Sequence, residues 1–340
     1  MIATKRFFIG IDVSKPYFDV SLLVVDNHVK QPILSDRFEN TLPGLKDLGK
    51  WLKAHGVTFD QNTLVVMENT GIYHRLIWSF CSNQGLPLHI GNAAHIKWSF
   101  GIARGKNDKI DSIRLCKYAF KEAETLKQID ALNPELLHLK DFISARTKLL
   151  KQVSSIKVGM KELYAVNDTI HQDLVAQSLQ SAIVGIKQSI ANIEAQIEKI
   201  ISENESFKSN YQLLRSIPGI GHVTAVYLIG CTANFASKPT GKQLSCYAGV
   251  APFEHSSGIS IKGRNRVHRM ANKELKRLLH LGAMSAIQYS EEFKIYYFRK
   301  VEEGKNKMSI LNAIKSKLLL RVAAVIKNQS IYIDNYKKAA

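Results

Sequence analysis

The chain has 340 residues, of which 45% are hydrophobic and 22% are charged, so it is long enough for about two folded domains. This composition excludes a mainly disordered, collagen-like or membrane-embedded chain, and no apolar run reaches the roughly 18 residues that a membrane helix needs. The 47 Lys and Arg against 29 Asp and Glu residues give a net charge of +18, which predicts a polyanionic partner.

The first 128 residues alternate between strand and helix signals. Two β-prone apolar runs within residues 6–25 flank a Ser-Lys-Pro turn, and a third strand is expected around residues 32–39. The next predicted element is an amphipathic helix with Leu45, Leu48 and Leu52 on one face, after the start signal Thr41-Leu42-Pro43. It is followed by a buried strand at 64–67, a helix at 73–84, a strand at 86–90 and a helix at about 109–122. This order, β-β-β-α-β-α-β-α, is that of the ribonuclease H-like domain and predicts an α/β fold here.

Residues 129–205 predict a helical linker with a heptad seam. Six isoleucines recur at alternating spacings of three and four, namely Ile183, Ile186, Ile190, Ile193, Ile197 and Ile200. Such a seam favours a coiled coil. Two interpretations stay open, because the seam can join two copies of the chain or, with a turn at Asn167-Asp168, pack inside one helical hairpin.

Residues 206–340 hold most of the positive charge and predict a mainly helical third region. They contain 22 basic and 7 acidic residues, whereas the first 205 residues contain 25 and 22. Nucleic acid is the favoured partner, because neutralised phosphates release counterions; a solubility surface or an anionic membrane contact is the alternative. Ile217-Pro218-Gly219-Ile220-Gly221 is typical of a helix-hairpin-helix turn, in which Gly219 and Gly221 receive a DNA phosphate, although an ordinary helix-helix turn uses the same residues.

Four carboxylates carry the metal chemistry that the sequence predicts. Asp12 and Glu68 each end a buried strand, and Asp108 and Asp111 lie three apart at the start of a probable helix. Four acids repel one another unless cations lie between them, so Mg²⁺, as two ions per site, is the expected cofactor for phosphodiester chemistry. The ordinary alternative is that each acid is a helix cap or a surface residue.

The N-terminal sequence IGIDVSK allows a second interpretation. It resembles the first phosphate loop of actin-like kinases and ATPases. Those enzymes also need a second Asp-Gly-Gly-type loop and an adenosine loop, and neither pattern is found in this sequence. Ribonuclease H-like metal chemistry is therefore the preferred interpretation.

Cysteines and histidines predict no further metal site. Cys81, Cys116, Cys231 and Cys246 form no CxxC pair and no Cys/His ligand spacing. His255 and His268 are expected to be phosphate contacts or surface residues. The apolar N-terminal run ends at Asp12, too early for a signal peptide, so we expect a cytoplasmic protein with no membrane partner.

The segment 247–279 combines serines with a run of basic residues. Ser256, Ser257 and Ser260 are candidate nucleophiles near a predicted polar turn, because neighbouring cations stabilise a pentacovalent phosphorane. The basic residues expected to contact phosphate are Lys262, Arg264, Arg266 and Arg269. A solvated basic loop is the alternative.

Taken in order, these motifs resemble one protein family. GIDVSK, VVMENTG, GKNDKIDS, SIPGIG and YAGVAP followed by HSSG resemble the DEDD transposases of the insertion-sequence 110 family, relatives of the Piv invertases. The resemblance implies a RuvC-like domain at 1–128, a coiled-coil linker at 129–205 and a C-terminal transposase domain at 206–340. It also implies that Ser257, directly before Gly258, is the nucleophile that forms a phosphoserine link to DNA.

The resemblance further implies a structured noncoding bridge RNA that pairs with donor and target DNA, and a homo-oligomer, either dimer or tetramer, in which Ser257 reaches the acids of a neighbouring subunit. Base pairing then supplies sequence recognition, so the protein needs no base-reading helix. The alternatives are a Piv-like invertase or RuvC-type nuclease without RNA guidance, and a non-enzymatic DNA-binding protein.

Overall fold

The computed structural model describes residues 5–100, 108–131, 133–166, 170–251, 253–257, 261–267 and 270–333. The chain divides into two compact units, Met1–Asn133 (unit 1) and Pro134–Ala340 (unit 2). The fold is mixed α/β, with helices in both units and the larger sheet in unit 1. Within the described residues, no helix is long and apolar enough to cross a membrane.

Unit 1 is built on a mixed sheet. Its strands are β1 (Arg6–Val13), β2 (Tyr17–Asp26), β3 (Val29–Lys30), β4 (Leu34–Glu39), β5 (Thr63–Glu68) and β6 (Leu88–Gly91). The order is β3-β2-β1-β5-β6, and β4 also pairs with β2. β1 is antiparallel to β2 and parallel to β5, and β5 is parallel to β6. The predicted third strand thus begins at Leu34, and the short β3 precedes it.

Helices cover both faces of this sheet. They are α1 (Leu42–Ala54), α2 (Arg75–Gln84), α3 (Ala93–Ser99) and α4 (Asp108–Lys121). Because side chains alternate along a strand, the odd-numbered residues of β1 pack with α1 and α2, whereas Phe8 packs with α3 and α4. We call the second side the α4 face. The sequence analysis did not predict α3.

Gly10 fixes the position of α4 on the sheet. A Cβ atom at this residue would overlap the backbone nitrogen of Cys116 and the carbonyl oxygen of Ser112. The Cys116 thiol donates to the Phe8 carbonyl (3.1 Å), and the hydroxyls of Ser21 and Ser112 are 2.8 Å apart. The absence of a side chain at Gly10 therefore lets the helix backbone lie directly on β1.

We predict that Gly10→Ala lowers the free energy of unfolding by about 3 kcal/mol or more, because the helix must move off the strand. Chemical denaturation measures this change. Gly185→Ala is the matched control, since a Cβ there meets no atom within 4 Å and alanine favours a helix interior by about 1 kcal/mol. Equal stability of the two variants would contradict this account of Gly10.

The described part of unit 2 is mainly helical and contains one β-hairpin. Its elements are α5 (Pro134–Val166), α6 (Ile170–Glu203), α7 (Glu205–Arg215), α8 (His222–Cys231), α9 (Gly241–Tyr247), β7 (Phe253–Ser257), β8 (Ile261–Arg266), α10 (Lys273–Tyr289), α11 (Glu291–Glu302) and α12 (Lys307–Asn328). β7 and β8 are antiparallel. Ser257, predicted to lie in a polar turn with Gly258, is instead the last residue of β7 and pairs with Ile261, while Gly258 lies outside the described residues.

The isoleucine seam packs inside the chain. Ile183 and Ile190 of α6 form a cluster with Val153 of α5, and Arg146 of α5 pairs with Glu194 of α6 at 2.7 Å. The earlier residue of α5, Arg146, contacts the later residue of α6, Glu194, whereas Val153 lies near Ile183 and Ile190. The two helices are therefore antiparallel. The antiparallel packing agrees with a helical hairpin, but the predicted turn at Asn167-Asp168 itself lies outside the described residues.

Gly219 has a packing role in unit 2. Its φ is +90°, and a Cβ atom there would overlap the carbonyl oxygen of Gly282 on α10. The two glycines therefore allow the turn between α7 and α8 to lie directly against α10. This close approach is a sufficient reason for glycine at 219, whether or not the turn also contacts DNA.

Candidate active site

Asp12 and Glu68 lie side by side at one edge of the unit 1 sheet. β1 and β5 are parallel, and Ile11 pairs with Met67, so the two acids are the next positions along adjacent strands. Phe8 and Val66 lie on the α4 face. Asp12 and Glu68 are an even number of residues further along the same strands, so both acids lie on that face too. The carboxyl ends of two parallel strands thus bring the two predicted acids together.

The amino end of α4 lies at the same edge. Ser112 contacts Ser21, which pairs with Gly10 in the sheet, while Phe120 at the other end of α4 packs on Phe8. Asp111 precedes Ser112 and pairs with Arg114 at 2.7 Å. Asp108 is the first residue of α4, and its side chain lies outside the described residues.

Hydroxyl and amide side chains hold these elements in place. The Ser21 hydroxyl is 2.9 Å from that of Ser35 and 2.8 Å from that of Ser112, linking β4, β2 and α4. The Asn40 amide donates to the carbonyls of Ser14 and Tyr73, both at 3.0 Å. The loops that follow Asp12 and Glu68 are therefore tied together through one side chain.

The donor set suits a hard divalent cation. Carboxylate oxygens are the ligands that Mg²⁺ prefers, and Asp12, Glu68 and Asp111 provide them from three elements that meet at one edge. Among the residues whose side chains are described, no group of three or more His, Cys, Asp or Glu is close enough to hold a metal ion. The edge accordingly brings the predicted acids into one neighbourhood without a closed ligand cage.

The sequence analysis did not identify Asp19 and Arg37. Both lie in line with Asp12 across neighbouring strands of the sheet. Asp12 pairs with Asp19 across β1 and β2, and Asp19 pairs with Arg37 across β2 and β4. We call Glu68, Asp12 and Asp19 the acid row. Val13 and Phe18 are the last paired residues before the hairpin turn, and Asp12 and Asp19 are the next pair outward, so hairpin symmetry was the signal that could have revealed Asp19.

His74 is a second residue that the sequence analysis missed. It follows the loop after Glu68 and is 6% exposed. Burial, and then the positive charge of Arg75, lowers the pKa of His74, which favours the neutral imidazole. Its ring stacks on Trp78 with centroids 6.3 Å apart, so packing accounts for its position.

The cysteines of unit 1 are buried free thiols. Burial raises the pKa of both Cys81 and Cys116 to about 12. Cys231 and Cys246 in unit 2 are also free. None of the four therefore forms a disulfide.

The predicted nucleophile and most of the predicted basic contacts share one hairpin in unit 2. Ser257 pairs with Ile261, and Ser256 pairs with Lys262. Lys262, Arg264 and Arg266 occupy alternate positions of β8. Arg269 and His268 lie outside the described residues.

The turn with Gly219 and Gly221 joins α7 to α8. Gly221 is the N-cap of α8, and no side chain caps the helix there. The Arg215 guanidinium donates to the Ile220 carbonyl (3.1 Å). The predicted turn thus joins two helices, and its helix-hairpin-helix role and its contact with phosphate stay predictions.

Transposase family models match residues of both units. A transposase family model for the DEDD domain of IS110 elements matches residues 9–164, and the model described as "Transposase IS116/IS110/IS902 family" matches residues 211–298. A pilin gene-inverting protein of Moraxella bovis is 30% identical over 333 residues, 95% of this chain and 96% of its own length.

Two further relatives are a second pilin gene-inverting protein and a transposase. The pilin gene-inverting protein of Moraxella lacunata is also 30% identical over 333 residues, covering 95% of this chain and 96% of its own. The transposase of insertion sequence element IS1111A from Coxiella burnetii is 24% identical over 252 residues, 66% of each chain.

These matches and the acid-bearing sheet edge define a DNA transposase or recombinase, an enzyme whose substrate is DNA. The chain belongs to the IS116/IS110/IS902 family of transposases, which is related to the pilin gene-inverting proteins. A DEDD-type transposase domain also indicates a divalent metal ion as cofactor.

Proposed function

We propose that the protein is a Mg²⁺-dependent recombinase of an insertion sequence, which cleaves and rejoins donor and target DNA through a phosphoserine intermediate. The observation that carries this proposal is the meeting of Asp12, Glu68 and the amino end of α4 at one sheet edge. In this proposal unit 1 is a ribonuclease H-like (RuvC-like) domain, which its strand order and directions support.

Asp12, Glu68, Asp108 and Asp111 would hold Mg²⁺, as two ions. When bound, the metal supplies Lewis acidity that favours deprotonation of a hydroxyl nucleophile and stabilises charge on phosphate oxygens. The four carboxylates come from β1, β5 and α4. Arg114 lies beside Asp111 and limits the mutual repulsion of the acids before a cation binds.

Ser257 is the proposed nucleophile. Its Oγ loses a proton and forms a bond to the phosphorus of one phosphodiester, and the bond from phosphorus to the leaving sugar oxygen breaks. The leaving oxygen takes up a proton, so the phosphoserine ester retains the bond energy of the original ester. Attack by the sugar hydroxyl of another strand then reverses these steps and releases Ser257, which explains strand exchange without ATP.

Basic residues near Ser257 bind DNA phosphates in this proposal. Lys262, Arg264, Arg266 and Arg269 all follow the serine within twelve residues, and Gly219 and Gly221 offer backbone amides at the start of α8. Such contacts fix the DNA backbone without reading its sequence.

Recognition of sequence is assigned to a structured guide RNA. We propose that this bridge RNA pairs with donor and target DNA, while the protein recognises backbones. Residues 129–205 act as a coiled-coil linker between the domains 1–128 and 206–340, and two or four copies of the chain assemble so that Ser257 of one reaches the acids of another.

We predict that one discrete RNA copurifies with the protein from a host that carries its native flanking DNA. The protein is washed at high salt, and the retained RNA is sequenced. Because a specifically folded RNA is held by more than phosphate contacts, it should survive a wash that removes electrostatically bound fragments. A single species that maps beside the gene is the expected result.

Recovery of only random fragments would contradict RNA guidance and favour a second function. The protein would then be a DNA invertase that recognises its sites itself. The similarity to pilin gene-inverting proteins over 95% of the chain supports this candidate. A RuvC-type nuclease that uses metal-activated water is a third arrangement, and it differs in leaving no DNA attached to protein.

A further inference from the structure

Arg37 stands at the end of the acid row. The register places Asp12 opposite Asp19 and Asp19 opposite Arg37, and opposed residues on neighbouring antiparallel strands have Cβ atoms about 5 Å apart. Two such steps join Asp12 to Arg37 across the sheet. One cation therefore lies beside the acids, within side-chain reach of a molecule that contacts them.

The guanidinium of Arg37 is held in one orientation. Its Nε donates to Asp19 Oδ1 (3.1 Å), and its Nη2 donates to Asp19 Oδ2 (3.0 Å). On its other side the guanidinium lies 3.9 Å from the ring centroid of Tyr17. A bidentate pair and a stacked ring together remove most of the rotational freedom of the side chain.

The pair is buried on one side and open on the other. The Asp19 side chain is 8% exposed, whereas the Arg37 side chain is 50% exposed. The Arg37 guanidinium offsets the desolvation of the buried Asp19 carboxylate, while half of the Arg37 side chain stays exposed. The arginine is therefore oriented by Asp19 and accessible from solvent on its outer side.

We propose that Arg37 binds a backbone phosphate of the nucleic-acid strand that lies on the acid row, and that Asp19 is the positioning residue that orients the guanidinium for this contact. The inference rests on the proposed function, because it takes the acid row as the place where the strand lies. An acid-rich edge repels a polyanion, and a fixed guanidinium beside it supplies local attraction with defined geometry.

The test measures binding without cleavage. Fluorescence anisotropy with the full chain, in chelator, follows a short labelled DNA duplex and an RNA duplex of the same sequence over a range of salt concentrations. Arg37→Gln should weaken binding about tenfold, as expected for one charge-assisted hydrogen-bonded contact, and should reduce the salt slope by about one unit. The duplex that shows the change identifies the source of the phosphate.

Lys46→Gln is the matched control. It removes the same charge from the same unit, but Lys46 is an exposed residue of α1, which packs on the opposite face of the sheet. We expect its affinity to change by less than about twofold, because a distant surface charge is screened. An equal effect of both variants would overturn the assignment of a specific contact to Arg37.

Asp19→Asn gives the sharper result, because general electrostatics and the positioning role predict opposite changes in binding affinity. Removal of an acid makes the protein more positive, so general electrostatics predicts tighter binding. The positioning role predicts weaker binding, since Arg37 loses its bidentate partner. Arg37→Lys, which retains the charge and leaves Asp19 a cationic neighbour, should also weaken binding because lysine has no planar fork.

Tighter binding by Asp19→Asn, or unchanged binding by Arg37→Gln, would overturn the proposal. Thermal unfolding of each variant shows whether it is folded, and Arg37→Lys keeps the question answerable if Asp19→Asn does not fold. Failure of the proposed reaction is a separate outcome. It would appear as retained strand exchange in Asp12 variants, whereas the binding assay contains no metal and records no cleavage.

Discussion

Asp12→Asn is expected to abolish strand cleavage, with a loss of about 10³-fold or more, because it removes a charged ligand from the proposed metal site. The substitution keeps the size of the side chain, so the packing of β1 against α4 should persist. Asp12 also lies between Glu68 and Asp19 in the acid row. Loss of its charge therefore affects the centre of the row.

The measurement is recombination in a host that carries the native flanking DNA, together with strand cleavage on a denaturing gel at varied Mg²⁺ concentration. Asp26→Asn is the matched control. Asp26 ends β2, which is antiparallel to β1, so it lies at the opposite edge of the same sheet. This variant should cleave at the rate of the unchanged protein.

A non-enzymatic DNA-binding role makes a different prediction. DNA activity would then be insensitive both to Asp12→Asn and to removal of divalent cations. Strand exchange that persists under both conditions, in protein shown to be folded by thermal unfolding, would contradict the metal-dependent mechanism.

Ser257→Ala should eliminate the covalent link between protein and DNA. The proposed phosphoserine ester needs the Ser257 hydroxyl, and no other atom of that side chain can form it. We expect both the adduct and strand exchange to fall by about 10³-fold or more, as when the nucleophile of a covalent enzyme is removed. Labelled DNA that stays with denatured protein measures the adduct.

Ser256→Ala is the control for this experiment. Ser256 precedes Ser257 in β7 and pairs with Lys262 in the hairpin. Each variant therefore removes one serine hydroxyl, at neighbouring positions of the same strand. Ser256→Ala should retain adduct and exchange. If Ser257→Ala retained strand exchange while acid substitutions abolished it, the nucleophile would be metal-activated water, and the serine would be structural.

Unit 1 follows its sequence closely because its signals are local. The apolar runs of β1 and β5 are buried on both faces, and such strands are recognisable from composition alone. Asp12 and Glu68 were found for the same reason, since each is the first acid after a buried run. Parallel neighbours then place both acids at one edge.

The sequence was less informative for the β7 and β8 hairpin and for α3. β7 is five residues long and polar, so its composition resembles that of a turn more than that of a buried strand. α3 has only seven residues, too few for a helical apolar period to be recognised.

The sequence by itself predicted most of the strands and helices of unit 1, four candidate acids, the basic C-terminal region and the isoleucine seam, because these are properties of composition and short-range period. Only the tertiary structure decided that the seam packs against α5, that Gly10 lets α4 lie on β1, and that Asp19 orients Arg37 beside Asp12. The physical reason is that such pairings depend on which faces of distant elements meet, and a period along the chain does not specify the partner of the face it creates.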